Sequence, residues 1–96
     1  MEKFADMSLD AFTAALASKE AVPGGGGAAG LAGALAAALG AMICNLTSGK
    51  KKYAEYEADI AAALEKLELT RKYMLRLVDE DAKAFQPLQK YLSLPK

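Results

Sequence analysis

Apolar positions along the chain fall into three blocks at helical spacing, parted by two short breaks rich in glycine and charge. In the first block Leu9, Phe12, Ala15 and Leu16 recur every three or four residues and predict an amphipathic helix over residues 9–17. Ser8 stands where an N-cap hydroxyl is favoured, and Asp10 lies in the first turn, where the helix dipole favours negative charge. A polar break, Ser18-Lys19-Glu20, leads into Val22-Pro23-Gly24-Gly25-Gly26-Gly27. The second block is nearly all Ala, Gly and Leu and predicts a helix over residues 28–48, closed by Gly49 as a left-handed C-cap. Small residues recur along it every fourth position, at Gly26, Gly30, Ala34 and Ala38 and again at Gly33, Ala37 and Ala41. That spacing lets another helix approach closely.

The third block predicts a helix over residues 54–86. Tyr53, Ile60, Leu67, Met74, Asp81 and Leu88 share one seven-residue register, and Tyr56, Ala63, Thr70, Leu77, Ala84 and Tyr91 share another three residues on. With Leu64, Val78, Phe85 and Leu92 they predict one broad buried face. Pro87 is expected to kink or restart the helix, since proline lacks the amide and clashes with the preceding turn. No strand alternation appears, so the fold class is all-α, an up-and-down helical bundle. The second block is long enough to cross a bilayer. Alanine adds little driving force and no aromatic belt flanks it, so a buried central helix is expected and no membrane partner.

Composition narrows the chemistry. The 96 residues suffice for one domain, and 53% hydrophobic content predicts folding over disorder. Lys and Arg together number 12, as do Asp and Glu; this neutrality argues against nucleic acid as a partner. With one cysteine and no histidine, neither an internal disulfide nor a Cys/His zinc site is available, and no metal is expected. Cys44 reads as a small buried hydrophobe. Acid–base work is left to carboxylates, lysines and tyrosines. The opening MEKFADMSLD lacks the basic and apolar regions of a signal peptide, which predicts a cytoplasmic protein.

Three features carry candidate chemistry. Asp81 breaks an otherwise apolar register. It is either a carboxylate reaching solvent from a fraying helix end or one facing a pocket, while Asp79 and Glu80 beside it are expected to be solvated. Lys50-Lys51-Lys52 with Tyr53 is either a solvated loop or an anion site, to which Arg71 and Tyr73 add only if packing brings them round. Gly25 to Gly30 formally match the dinucleotide-binding glycine pattern, but no strand precedes them, so no nucleotide is expected. The glycine run is then either a linker stiffened by Pro23 or a wall of free amides at a helix start.

Taken together, Pro23-Gly24-Gly25-Gly26 before a small-residue helix, Asn45-Leu46-Thr47 with Gly49-Lys50-Lys51-Lys52-Tyr53, and Asp79-Glu80-Asp81-Ala82 with Ala84-Phe85 before Leu94-Pro95-Lys96 resemble one family. It is that of formimidoyltetrahydrofolate cyclodeaminase and methenyltetrahydrofolate cyclohydrolase, and the resemblance covers essentially the whole chain. The resemblance implies long helices packed in a homo-oligomer, at least a dimer, acting on a tetrahydrofolate derivative as substrate. Members either eliminate ammonia from the 5-formimidoyl compound to close the methenyl ring, or add water to the methenyl compound to open it toward the 10-formyl one. Carried over by position, it makes Asp81 the catalytic acid. Pro23, Gly24, Gly25, Gly26 and Gly27, with Phe85 and Gln86, become the pocket lining, and Lys50, Lys51, Lys52 and Tyr53 face the substrate's anionic tail. A carboxylate can move the required proton without histidine or metal.

Three departures stand out. Where the family pattern usually has serine after the three glycines this chain has Gly27, where it usually has asparagine after the phenylalanine this chain has Gln86, and the pattern continues through C-terminal helices beyond Lys96, so residues 1–96 resemble a partial domain. The alternative from another class is a non-catalytic self-assembly module, with the Gly/Ala helix as a packing surface.

Overall fold

The computed structural model describes the backbone of residues 3–92 and side chains as far as residue 84. A 3-10 turn, Phe4–Asp6, precedes α1 (Leu9–Ala17), α2 (Gly25–Thr47) and α3 (Glu57–Leu92), with a second 3-10 segment, Lys51–Tyr56, between the last two. Among the described residues there is no strand. The all-α expectation holds, and its core is an antiparallel hairpin of α2 and α3.

Local signals account for most of the helix ends. The Ser8 hydroxyl accepts the Ala11 amide at 3.0 Å, capping α1. At the far end of α2, Ser48 is the C-cap and Gly49 adopts φ 83°, a left-handed conformation that glycine takes without side-chain strain. The Glu57 carboxylate then fastens this corner, accepting the Ser48 hydroxyl at 3.0 Å and the Gly49 amide.

The start of α2 differs from expectation. Helix begins at Gly25, three residues earlier than predicted, so Gly25, Gly26 and Gly27 form its first turn and not a loop. A glycine in a helix interior costs roughly 1 kcal/mol relative to alanine. Close packing offsets that cost. Gly27, Gly30, Ala34, Ala37 and Ala41 form the buried face of α2, and a β-carbon at Gly30 would sit 2.9 Å from the Met74 carbonyl oxygen and 3.2 Å from Val78 Cγ2. The two backbones approach because nothing stands between them.

On α3, burial follows Ile60, Leu64, Leu67, Met74, Val78 and Ala82, half-buried through Met74 and fully buried at the last two. The second predicted register fails. Tyr56, Ala63, Thr70 and Ala84 are exposed, and only Leu77 in its described part is half-buried. A straight helix drifts against a seven-residue repeat, and a single partner helix covers a narrower stripe than a bundle would. Helix also runs through Pro87 to Leu92, without the predicted restart; proline there removes one amide donor but leaves the flanking turns bonded. Cys44 is half-buried, less enclosed than expected.

The N-terminal segment folds back onto α3. Asp79, expected to be solvated, is half-buried and accepts the backbone amides of Phe4 at 2.7 Å and Ala5 at 3.2 Å. Phe4 meets Phe12 edge to face at 6.4 Å between ring centroids. These two rings, with Leu31, Leu75 and Val78, line a cavity of about 50 Å³. Small-molecule pockets run to roughly 300–1,000 Å³, so this is a packing gap.

Candidate functional site

At the N-terminus of α2 the chain offers amides that have no hydrogen-bond acceptor among the described residues. Gly24 occupies the N-cap and supplies no side-chain cap, and the first helical hydrogen bond runs from Ala28 to the Gly24 carbonyl at 2.9 Å. The amides of Gly25, Gly26 and Gly27 therefore have no carbonyl partner within the helix, and the helix dipole leaves positive character there. Pro23 is buried behind this turn, joined to Val22 by a cis peptide bond.

Across the hairpin, Asp81 faces this turn. Its carboxyl group lies directly over the Cα of Gly26, and a β-carbon at position 26 would collide with Cγ and both carboxylate oxygens. Asp81 is otherwise exposed, so its carboxylate sits against the Gly26 backbone on one side and remains open to solvent on the other. Two features 55 positions apart in sequence thus meet in space. Asp81 thus shows part of each alternative: its carboxylate reaches solvent, as the first expects, while one side lies against the glycine turn. The arrangement is an open surface, since the carboxylate is not enclosed.

Within the turn the glycines are not equivalent. A β-carbon at Gly25 would meet nothing within 4 Å, whereas Gly27 is buried with a would-be β-carbon 3.3 Å from Pro23 Cβ and 3.7 Å from Val78 Cγ1. A side chain at position 27 would thus start on the α3-packing side and not beside Asp81. A serine at position 27 would accordingly stand at the helix interface and not on the open surface over Gly26.

The basic run lies elsewhere. Lys50, Lys51 and Lys52 are exposed at the opposite end of α2, roughly 33 Å along the axis from the glycine turn at ~1.5 Å per residue. The Lys52 ammonium lies 5.6 Å from the centroid of the Tyr53 ring, a cation–π contact. Arg71 is not brought round to this end; its guanidinium forks onto Glu68 on the same helix, Nη2 to Oε2 at 2.9 Å and Nε to Oε1 at 3.3 Å. Tyr73 is exposed on α3. One chain therefore unites Asp81 with the glycine turn but not with the lysines. Phe85 and Gln86 lie in α3 outside the residues whose side chains are described. Asp79, expected to be solvated, and Glu57, which the sequence pattern did not mark, anchor the N-terminal turn and the lysine corner. Their partners are backbone amides, which leave no mark in a residue pattern.

Residues 8–96 match the family model described as formiminotransferase-cyclodeaminase. The chain belongs to that family. It is 46% identical over 89 residues to a methenyltetrahydrofolate cyclohydrolase of Methylorubrum extorquens, an alignment covering 93% of this chain and 43% of the relative. It is 32% identical to the formimidoyltransferase-cyclodeaminases of Gallus gallus and Rattus norvegicus, over 92% and 95% of this chain but 16% and 17% of theirs. The chain thus spans less than half the length of these curated relatives. The matched residues include the glycine turn, the lysine corner and Asp81.

Proposed function

We propose that this chain carries the acid–base centre of a folate cyclodeaminase or cyclohydrolase, with Asp81 as the proton-transferring carboxylate and the glycine turn as the wall of the substrate site. The observation that carries this reading is the seating of the Asp81 carboxyl over Gly26, beside three helix-terminal amides without helical partners. Ring opening of a methenyltetrahydrofolate adds water at the methenyl carbon and breaks one of its two carbon–nitrogen bonds; as the formyl carbonyl forms, both protons leave the water, one arriving at the departing ring nitrogen and one released to solvent. Ammonia elimination from a formimidoyl compound needs the departing nitrogen protonated in the same way. A solvent-open carboxylate beside the substrate can take and return that proton. The backbone amides of Gly25 and Gly26 can support developing negative charge on an attacking oxygen.

Lys50, Lys51 and Lys52 enter this reading through a homo-oligomer, in which the lysine end of a neighbouring chain reaches the glycine end of this one. The test is turnover of methenyltetrahydrofolate by the full-length protein and its Asp81→Asn variant. Loss of a general acid–base is expected to lower kcat by about 10²–10⁴-fold; an unchanged rate removes Asp81 from the mechanism.

A second reading, the non-catalytic self-assembly module, is favoured by the exposed apolar row Leu35, Leu39, Met42, Ile43 and Leu46 on α2. Calorimetry separates the two. A stable oligomer that takes up no tetrahydrofolate supports the module, and saturable binding supports the enzyme.

A further inference from the structure

Gly26 is the one glycine of the α2 turn whose missing side chain is replaced by a functional group. Gly25 faces open space, and Gly27 packs on Pro23 and Val78. The space a β-carbon would fill at Gly26 is taken by the carboxyl group of Asp81. We infer that Gly26 is a positioning residue for Asp81: its bare Cα is the seat that holds the carboxyl against the first turn of α2, in place to act on a bound substrate. This deepens the acid–base role proposed for Asp81 and rests on it.

The physical consequence is specific. Asp81 is exposed and its carboxyl is the free end of a short side chain, so a methyl at position 26 displaces the carboxyl and leaves both helix backbones where they are. Alanine is also the better helix former, so the fold should not suffer. Gly30 behaves differently, because the would-be β-carbon there meets the Met74 backbone. Gly26→Ala therefore separates positioning from stability.

Two measurements on the full-length protein decide the matter. Steady-state turnover of methenyltetrahydrofolate by Gly26→Ala is expected to show kcat lowered by about a hundredfold, the scale of a 1 Å misplacement of a reacting group, with a melting temperature no lower than the parent's. Adding Gly26→Ala to Asp81→Asn is expected to cost little more than Asp81→Asn alone, because both remove the same placed carboxyl. The second measurement needs no activity. The amide NMR resonances of residues 25–27 should shift on Asp81→Asn in the parent and in a Gly25→Ala background, and should hardly respond in a Gly26→Ala background.

If the parent turns over no folate, the proposed function fails while the amide shifts still decide the seat. Turnover that is normal in Gly26→Ala yet abolished in Asp81→Asn leaves the function standing and overturns the positioning role. Equal amide responses in the parent and in the Gly26→Ala background overturn it as well.

Discussion

Single atoms decide the contact between α2 and α3, and the glycines of α2 show this most directly. A β-carbon at Gly30 would lie 2.9 Å from a backbone oxygen, which can yield only if the helices separate. At Gly33 the nearest atoms are the sulfur, the γ-methylene and the terminal methyl of Met74, a flexible side chain that can move aside. We therefore predict that Gly30→Ala destabilises the fold by about 1–3 kcal/mol despite the better helix propensity of alanine, as overpacked sites do. Gly33→Ala should be neutral or slightly stabilising. Urea unfolding of the two variants checks the contrast, and equal midpoints would show that the helices are not in backbone contact at Gly30. The sequence marked both positions as small without distinguishing them, because spacing tells that a residue faces a neighbour and not which atom of the neighbour it meets. The same limit hid Asp79, whose partners, the Phe4 and Ala5 amides, lie more than 70 positions away.

Helix ends and faces were legible to different degrees. Ser8 and Gly49 declare their helix ends through side-chain and backbone chemistry that acts within a few residues, and both do as expected. The start of α2 was not legible, since glycine is a poor helix former whose use there depends on Pro23 and Val78 packing around it. On α3 the apolar register through Ile60, Leu67 and Met74 was right, and its one polar member, Asp81, departs from the buried stripe to lie exposed over the glycine turn. That anomaly marked the residue that meets the glycine turn. The polar side of α3 carries a testable pair of its own. The Arg71 guanidinium holds the Glu68 carboxyl below its ordinary value, chiefly through their hydrogen bond. A carboxylate whose pKa is lower folded than unfolded adds stability above its unfolded value, and that contribution is lost as the pH falls through the folded one. Thermal melts followed by circular dichroism from about pH 6 to about pH 3 should therefore fall less steeply in Arg71→Gln than in the parent. The pair is half-buried at the surface and screened by solvent, so the difference is small. Parallel curves would show that the pair does not contribute to folding.

The described hairpin is long and thin, 66 × 23 × 20 Å, with a radius of gyration of 18.0 Å against about 13 Å for a compact chain of this size. Such a shape buries one face of each helix and leaves the other without a partner. On α2 the unpartnered side carries Leu35, Leu39, Met42, Ile43 and Leu46, each about half or more exposed, at spacings that form a single row. The helix also has the length and apolarity of a bilayer span, with 23 residues and a mean hydropathy of 1.8 over its most apolar window. Its glycine and alanine side, however, is already committed to α3, and a row of leucines opposite that side suits another helical surface. In the oligomer proposed above, contact through this row brings a neighbour's Lys50 to Lys52 toward Asp81. We predict that the full-length protein purifies without detergent and sediments as a species larger than one chain. Leu39→Glu combined with Ile43→Glu should lower that mass and, with it, folate affinity, while leaving α2 helical, because glutamate is a good helix former. Retention of both mass and affinity in the double variant would show that the row is solvated and that the lysines act, if at all, within their own chain.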